Sequence, residues 1–265
     1  MENLSRKEMH DVLYDELRLI HFPIAVKFIC DEHELEDFRK NAGEYVVPVK
    51  PMTFCQWEIA ARMKGQTVLA MPEHLGCSNA QCAFGLKDID DAEIKSHAKY
   101  TKNAEQAERF VRSKPRLPLG KLKAVVVAPL KDSYFVPDTV HFYCDNMQAY
   151  HLAVDYMSAM DIHPLKTSIT MNSSACAGNV YSFIEQSANM LPACSGSYNA
   201  GKTERGEINF IIPGTQIEAV VKRLLERKKQ YGSSSVTRPG DNFPGADICK
   251  NCPLIVFKKD KANVS

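Results

Sequence analysis

The sequence has almost no excess of charge of either sign and no long apolar run. Its 265 residues carry 33 basic and 32 acidic side chains, giving a formal net charge of +1. Such an even balance does not favour a nucleic acid or a membrane surface as the main partner. The longest apolar run, around residues 124–128, is far shorter than the ~20 residues that span a bilayer. The polar N-terminus has no apolar segment of a secretory signal, so we expect a soluble cytoplasmic protein.

Cysteine, in contrast, is abundant. The chain has nine, and an odd number without an export signal argues against a disulfide framework. In a reducing compartment the thiols are packing groups, redox or catalytic groups, or metal ligands. With 45% apolar residues, the chain can bury a full core, either as one large domain or as two halves sharing a core.

Apolar periodicity and capping residues predict an α/β (or α+β) fold. Ser5 and Glu8 form a capping box that begins a first helix. A second clear helix begins at Thr53 and ends at Gly65. Further elements are predicted at residues 24–29 (strand), 31–51 (polar loop), 67–71 (strand), 91–112 (one surface helix) and 122–128 (buried strand).

The second half of the chain repeats this order of elements. The paired segments are 26–31 with 140–145, 56–63 with 148–157, 67–71 with 166–170 (a strand), 79–83 with 173–177, and 124–129 with 208–213. We therefore predict a duplicated strand–helix–strand–helix–strand unit in one domain, residues 1–230, with halves of about 1–130 and 131–230. Two ordinary units that resemble each other by chance are the alternative. Residues 231–265 are predicted to form a loop-rich extension.

Seven cysteines lie in predicted loops or at helix starts, where backbone N–H groups stabilise thiolates. They are Cys55, Cys77, Cys82, Cys176, Cys194, Cys249 and Cys252. An iron–sulfur cluster usually takes four thiolate ligands. The set therefore predicts such a cluster, [4Fe–4S] in the first place, between the two halves. Cys30 and Cys144 end strands and are predicted to be buried packing residues.

Other interpretations of the cysteines stay open. Cys249-x-x-Cys252-Pro253 has the spacing of a zinc site, although zinc ribbons normally carry a second such pair. The same pair could be a redox dithiol, although it follows a loop rather than a strand-to-helix turn. The cysteines could also only pack the walls of a cleft for a small ligand or a haem-type tetrapyrrole. The expected partners are an electron-transfer protein or a small molecule, and the oligomeric state is open.

Residues 196–203 match the P-loop pattern Gly-x4-Gly-Lys-Thr, in which Gly196, Gly201 and Lys202 would bind a nucleotide cofactor. The flanking segments do not fit, because a P-loop lies between a buried strand and a helix. Here residues 187–192 are predicted to be a helix end and a turn, and a strand follows the motif. We expect a glycine-rich loop that lets the backbone approach whatever Cys194 binds.

The histidines carry no distinctive catalytic pattern. His141, His151 and His163 lie near the ends of predicted elements, and no companion carboxylate or serine has a characteristic spacing. All three are predicted to lie on the surface.

Several short motifs are spread along most of the chain. They are Pro23–Phe28, Phe54-Cys55-Gln56, Cys77 with Gly85, Asn146-Met147-Gln148, and Cys194–Ser197 followed by Glu207 and Ile212-Pro213. Together they resemble the ArCR family, catalogued as domain of unknown function 169, over roughly residues 10–228. The resemblance implies an anaerobe-associated archaeal or bacterial cytoplasmic protein and no established activity. The family pattern usually has arginine after Cys-x-Gly-Ser, and Tyr198 stands here instead.

Overall fold

The computed structural model describes residues 3–170 and 172–231. Its helices are α1 (Arg6–Glu16), α2 (Glu32–Asn41), α3 (Phe54–Lys64), α4 (Ser78–Ala83), α5 (Asp91–His97), α6 (Ala104–Ser113), α7 (Asn146–Met160), α8 (Ser174–Glu185), α9 (Ser195–Asn199) and α10 (Ile217–Tyr231). Its strands are β1 (Ile24–Ile29), β2 (Val68–Ala70), β3 (Ala124–Pro129), β4 (Thr139–Cys144), β5 (Asn189–Pro192) and β6 (Ile208–Pro213). The mixed α/β fold is confirmed. In the segments covered, no helix has the length and apolar character needed to cross a bilayer. Cys249 and Cys252 lie outside the described residues, as does nearly all of the predicted extension.

The six strands form one antiparallel sheet in the order β2-β3-β1-β4-β6-β5. The two halves of the chain meet at its centre, where β1 pairs with β4. Outward from that centre, each half places its first strand, then its third, then its second. Neighbouring strands are antiparallel throughout, so the halves share one topology. A common origin of the halves remains a prediction.

In this topology β1 corresponds to β4 and β3 corresponds to β6, as predicted when the sequences of the two halves were compared. The strand predicted at residues 166–170 is wrong, because those residues have no regular structure. The edge strand of the second half is β5, which lies in a segment predicted to be a helix end and a turn. The Asn189 side chain bonds the backbone of Ser168, accepting from its N–H at 2.8 Å and donating to its carbonyl at 3.3 Å. A side chain thus satisfies backbone groups that a strand would have paired in the sheet.

Local capping signals predicted the helix ends well. The capping boxes of Ser5 with Glu8 and of Thr53 with Gln56 are both formed. Gly65 ends α3 in the left-handed conformation, with φ 68°, which glycine adopts without steric cost.

Two helical predictions are wrong. The predicted loop at 31–51 contains α2, which Asp31 caps by accepting from the backbone N–H groups of His33 and Glu34. Only two side chains of this charged helix are buried, Leu35 and Phe38, so its apolar pattern is faint. The single helix predicted at 91–112 is two helices, α5 and α6, and Asn103 caps the second.

The helices cover both faces of the sheet. Alternate residues of β1 point to opposite faces: Ile24 and Phe28 pack under α3, α4 and α8, while Ala25 packs under α1, α7 and α10. Ile29 packs against α2 on that second face. Helices from both halves of the chain therefore lie together on the first face.

Candidate functional site

Four cysteines line one cavity on the first face of the sheet. Cys55 and Cys176 lie in the first turns of α3 and α8, and Cys77 and Cys194 directly precede α4 and α9. The cavity has a volume of ≈ 210 Å³, and we call it the thiol cavity. Polar side chains complete much of its lining: Thr53, Asn79, Ser96, Lys99, Tyr100, Asn172, Ser173, Ser195 and Ser197. Cys77, Cys176 and Cys194, which were predicted to meet at one metal site, therefore line the same cavity. Their binding of a metal stays a prediction.

The four thiols occupy matching places in the two halves. Cys55 and Cys176 each lie in the helix that precedes an edge strand, β2 or β5. Cys77 and Cys194 each lie after that edge strand, at the start of a short helix. The sequence comparison had paired Cys176 with a different residue, Cys82. The shared topology thus supplies two thiols from each half, and it does so through equivalent connections.

Cys194 is the thiol best placed to be ionised. Burial raises its pKa, but hydrogen bonds from the Ser174 hydroxyl and from the backbone N–H groups of Ser197, Ser174 and Ser173 outweigh burial and leave the pKa below the usual 9.0. Ser174 Oγ also accepts from the backbone N–H of Cys194 at 2.9 Å. Ser173 has a left-handed backbone, with φ 71°, which is uncommon for a residue other than glycine. The start of α8 and the turn into α9 therefore together surround one sulfur with donors.

The other three thiols are neutral when the cavity holds only protein. Burial raises the pKa of Cys55 to about 12, and the thiol contacts Thr53 Oγ1 at 3.1 Å. Burial raises the pKa of Cys77, and the backbone N–H groups of Ala80 and Asn79 oppose that rise. The pKa of Cys176 is raised well above its usual value, first by burial and then by negative charge on Cys77, Cys194 and Cys55 as they ionise. A cation among the sulfurs would favour thiolates at all four positions.

Alkylation should separate Cys194 from an ordinary thiol of the same chain. Only the thiolate reacts with iodoacetamide, so each rate rises with pH through the pKa of that thiol. We expect the midpoint for Cys194 to lie below 9.0. The midpoint for Cys30 should lie above 9.0, because this residue, although exposed, has a thiol whose pKa is raised by partial burial. Ser174→Ala should move the Cys194 midpoint upward. Peptide-resolved mass spectrometry on reduced, metal-free protein measures both, and a Cys194 midpoint at or above that of Cys30 would contradict the assignment.

The remaining described cysteines do not line the thiol cavity. Cys82 lies inside α4 and is absent from the cavity lining, and its Sγ lies 3.9 Å from the carbonyl oxygen of Asp88. Cys144 is buried, as predicted, and pairs with Ile208 in the sheet. The prediction that Cys30 is buried is wrong, because it lies one residue beyond the paired end of β1 and is exposed.

The glycine-rich segment does not have the form of a P-loop. Gly196 lies within α9 and lines the thiol cavity, and β6 follows the motif instead of a helix. Lys202 is exposed. Gly201 allows a close approach to other parts of the protein, since a Cβ there would lie 2.7 Å from the Ser197 carbonyl oxygen and 2.8 Å from Cys55 Cβ. That the loop approaches a group bound by Cys194 stays a prediction.

A buried polar network lies one helical turn beyond Cys55. Glu58 is fully buried, and its carboxylate accepts from the Tyr143 hydroxyl and from His141 Nδ1, each at 2.6 Å. His141 Nε2 lies 2.9 Å from Asn209 Oδ1, and the Asn209 amide nitrogen donates to the Leu191 carbonyl oxygen. The guanidinium of Arg62 lies over the Tyr143 ring at 4.1 Å. The prediction that His141 lies on the surface is therefore wrong, whereas His163 is exposed as predicted and His151 is half-buried.

Sequence reasoning also missed Lys114. It is buried beside the thiol cavity, and its Nζ donates to Asn79 Oδ1 at 3.0 Å and to Ser173 Oγ at 3.4 Å. Both of these acceptors line the cavity. A lysine just after an exposed helix gives no sequence signal of burial.

Among the residues that the structure describes, no group of three or more His, Cys, Asp or Glu side chains is placed to hold one metal ion. All seven described cysteines are free.

The family comparison covers most of the chain. Residues 12–223 match the family described as uncharacterised ArCR, domain of unknown function 169. That span includes all four cysteines of the thiol cavity and excludes Cys249 and Cys252. Comparisons with curated proteins and with solved structures give no match. The chain therefore belongs to the uncharacterised ArCR family.

Proposed function

We propose that the thiol cavity holds an iron–sulfur cluster and that the protein is a redox or cofactor-handling protein. The observation that carries the proposal is the convergence of four cysteines, from four separate segments, on one cavity. Four thiolates are the usual ligand set of a [4Fe–4S] cluster. With all four thiolates bound, the cluster would exchange electrons with a partner protein. With one iron left free of cysteine, it would bind a small molecule at that iron.

The surroundings of the thiols suit a cluster. Cys55 and Cys176 lie at the positive ends of α3 and α8, which stabilise negative charge. Backbone N–H groups are directed at Cys77 and Cys194, and hydrogen bonds to sulfur help set the reduction potential of a cluster.

A cluster suits this cavity better than the other occupants considered. One zinc ion would need every sulfur about 2.3 Å from the same point, whereas a cluster binds each thiolate to a different iron. A tetrapyrrole or other sizeable ligand normally occupies a pocket of ~300–1,000 Å³, and the thiol cavity measures ≈ 210 Å³. A reducing cytoplasm, which keeps thiols free, is the proposed location.

Anaerobic reconstitution tests the proposal directly. The full chain should bind about four irons and about four acid-labile sulfides, with a brown colour, if it holds one [4Fe–4S] cluster. The paired change of Cys77 and Cys194 to serine should abolish both, because two of four ligands are lost. Cys30→Ser is the matched control and should leave iron and sulfide unchanged.

Two further results would change the assignment. Folded, colourless protein without iron or sulfide after reconstitution would end the proposal, and zinc without sulfide would make this a zinc protein. Cys249 and Cys252 are tested in the same assay: changing both to serine should leave the iron and sulfide content unchanged if the cavity thiols suffice.

A further inference from the structure

Lys114 is a buried ammonium group whose hydrogen-bond partners are all neutral. Its Nζ lies 2.7 Å from His97 Nε2, in addition to its bonds to Asn79 and Ser173. His97 Nδ1 lies 2.8 Å from the Glu93 carbonyl oxygen, which can only accept. Nδ1 therefore carries the ring hydrogen, and Nε2 accepts from the ammonium.

One carboxylate lies on the far side of the imidazole from Lys114. Glu93 is buried, accepts from the Ser78 hydroxyl at 2.6 Å, and lies 3.8 Å from His97 Nδ1, the nitrogen opposite the one that faces Lys114. Burial lowers the pKa of Lys114, and negative charge on Cys176, Glu93, Cys82 and Cys194 opposes that change. Burying an ammonium without a contacting carboxylate is costly, so an anion nearby would stabilise this arrangement.

The thiol cavity is where such an anion would lie. Two of the three partners of Lys114, Asn79 and Ser173, line it. Its lining includes Lys99 and no Asp or Glu among the described residues. The first turns of α3 and α8, helices of 11 and 12 residues, also open onto it and contribute positive potential.

We propose that the thiol cavity selects an anionic occupant and that Lys114 supplies the fixed positive charge that selects it. The inference deepens the proposed function and rests on it, because a [4Fe–4S]²⁺ core with four thiolates has a net charge of −2. A small anionic substrate at the same place would be recognised by the same charge. Lys114 acts through Asn79 and Ser173 and is a positioning residue.

The first test needs no iron. Iodoacetate and iodoacetamide both alkylate the Cys194 thiolate, forming a C–S bond and releasing iodide, but only iodoacetate is an anion. The iodoacetate rate divided by the iodoacetamide rate does not depend on how far the thiol is ionised. This ratio therefore reports the electrostatic potential in the cavity. We expect this ratio to be at least threefold higher in native protein than at the same cysteine in urea-unfolded protein.

The variants assign that potential to Lys114. Lys114→Gln should lower the native ratio at least threefold, and Lys114→Arg should largely keep it. Lys102→Gln, which removes an exposed lysine outside the cavity lining, should leave it unchanged. The Lys114 effect should persist at about 0.5 M salt, because a buried charge is weakly screened.

The second test uses the reconstituted protein. Reduction adds negative charge to the cluster, so Lys114→Gln should shift the equilibrium about tenfold toward the oxidised form, a potential about 59 mV lower for one electron. Lys102→Gln should not move the potential.

The two tests separate this inference from the proposed function. If the chain binds no iron but its rate ratio depends on Lys114, the cluster proposal is wrong and the anion site is supported. If the cluster forms normally and Lys114→Gln does not change its reduction potential, the inference about Lys114 is wrong and the cluster proposal stands. If Lys114→Gln does not fold, a native ratio no higher than the urea ratio in the unchanged protein would still overturn it.

Discussion

Glu58→Ala should lower the free energy of unfolding by about 2–6 kcal/mol, because each buried group left without its hydrogen-bond partner costs about 1–3 kcal/mol and Glu58 has two such partners. Glu58 is fully buried and accepts from both Tyr143 and His141. Without the carboxylate, these two buried side chains each lose a hydrogen-bond acceptor.

Denaturant unfolding of the reduced, metal-free full chain measures this effect. Glu58→Gln keeps the size of the side chain and an acceptor for Tyr143, so its loss should be smaller, about 1–3 kcal/mol. Glu36→Ala is the matched control, since Glu36 is exposed on α2, and should change stability by no more than about 0.5 kcal/mol. A loss below about 1 kcal/mol for Glu58→Ala would show that the network does not depend on the carboxylate.

This network shows what the sequence could not reveal. The partners of His141 include Glu58 and Asn209, which are 83 and 68 residues away along the chain, and no local pattern relates them. Burial of His141 follows only from the order of strands, which places β4 at the centre of the sheet. Helix caps such as Ser5 with Glu8 were predictable because both partners lie within one turn.

The thiol cavity was predictable in part for the same reason. The positions of Cys55 and Cys176 at helix starts could be inferred from the local sequence. Cys77 and Cys194 were predicted to lie in turns, and each directly precedes a short helix. The meeting of all four on one face depends on β1 pairing with β4, which the cysteine spacing does not encode. Lys114 escaped prediction because its partners come from three different segments.

Among glycine-to-alanine substitutions in the loop between β5 and β6, Gly201→Ala should disrupt the thiol cavity the most. A Cβ at this position would lie 2.7 Å from the Ser197 carbonyl oxygen, 2.8 Å from Cys55 Cβ and 3.2 Å from Cys55 Sγ. The first two separations are shorter than atoms tolerate, so α9 and α3 must move apart. Overpacking of this kind costs about 1–3 kcal/mol. It also displaces Cys55, so we expect the cluster to be lost at least tenfold faster.

The matched control lies in the same loop. A methyl group added at Gly206 would enter open space, with nothing within 4 Å, so Gly206→Ala should leave both stability and cluster retention unchanged. Stability is measured by denaturant unfolding, and cluster loss by the decay of visible absorbance under a chelator. Equal retention in Gly201→Ala and Gly206→Ala would mean that Cys55 does not bind the cluster.

Lys202→Ala decides between the two interpretations of this loop. In a P-loop the lysine binds phosphate and is indispensable, so its removal would abolish ATP binding. The effect of Gly201→Ala would then also come from weaker nucleotide binding. In the structure the Lys202 side chain is exposed, and the carbonyl oxygens of Gly201 and Lys202 accept from Arg62 at 2.5 and 3.0 Å. These bonds use only the backbone of Lys202, so its side chain can be removed without changing them. We therefore expect Lys202→Ala to keep the iron and sulfide content of the unchanged chain, and a loss of iron there would assign the lysine a role at the thiol cavity.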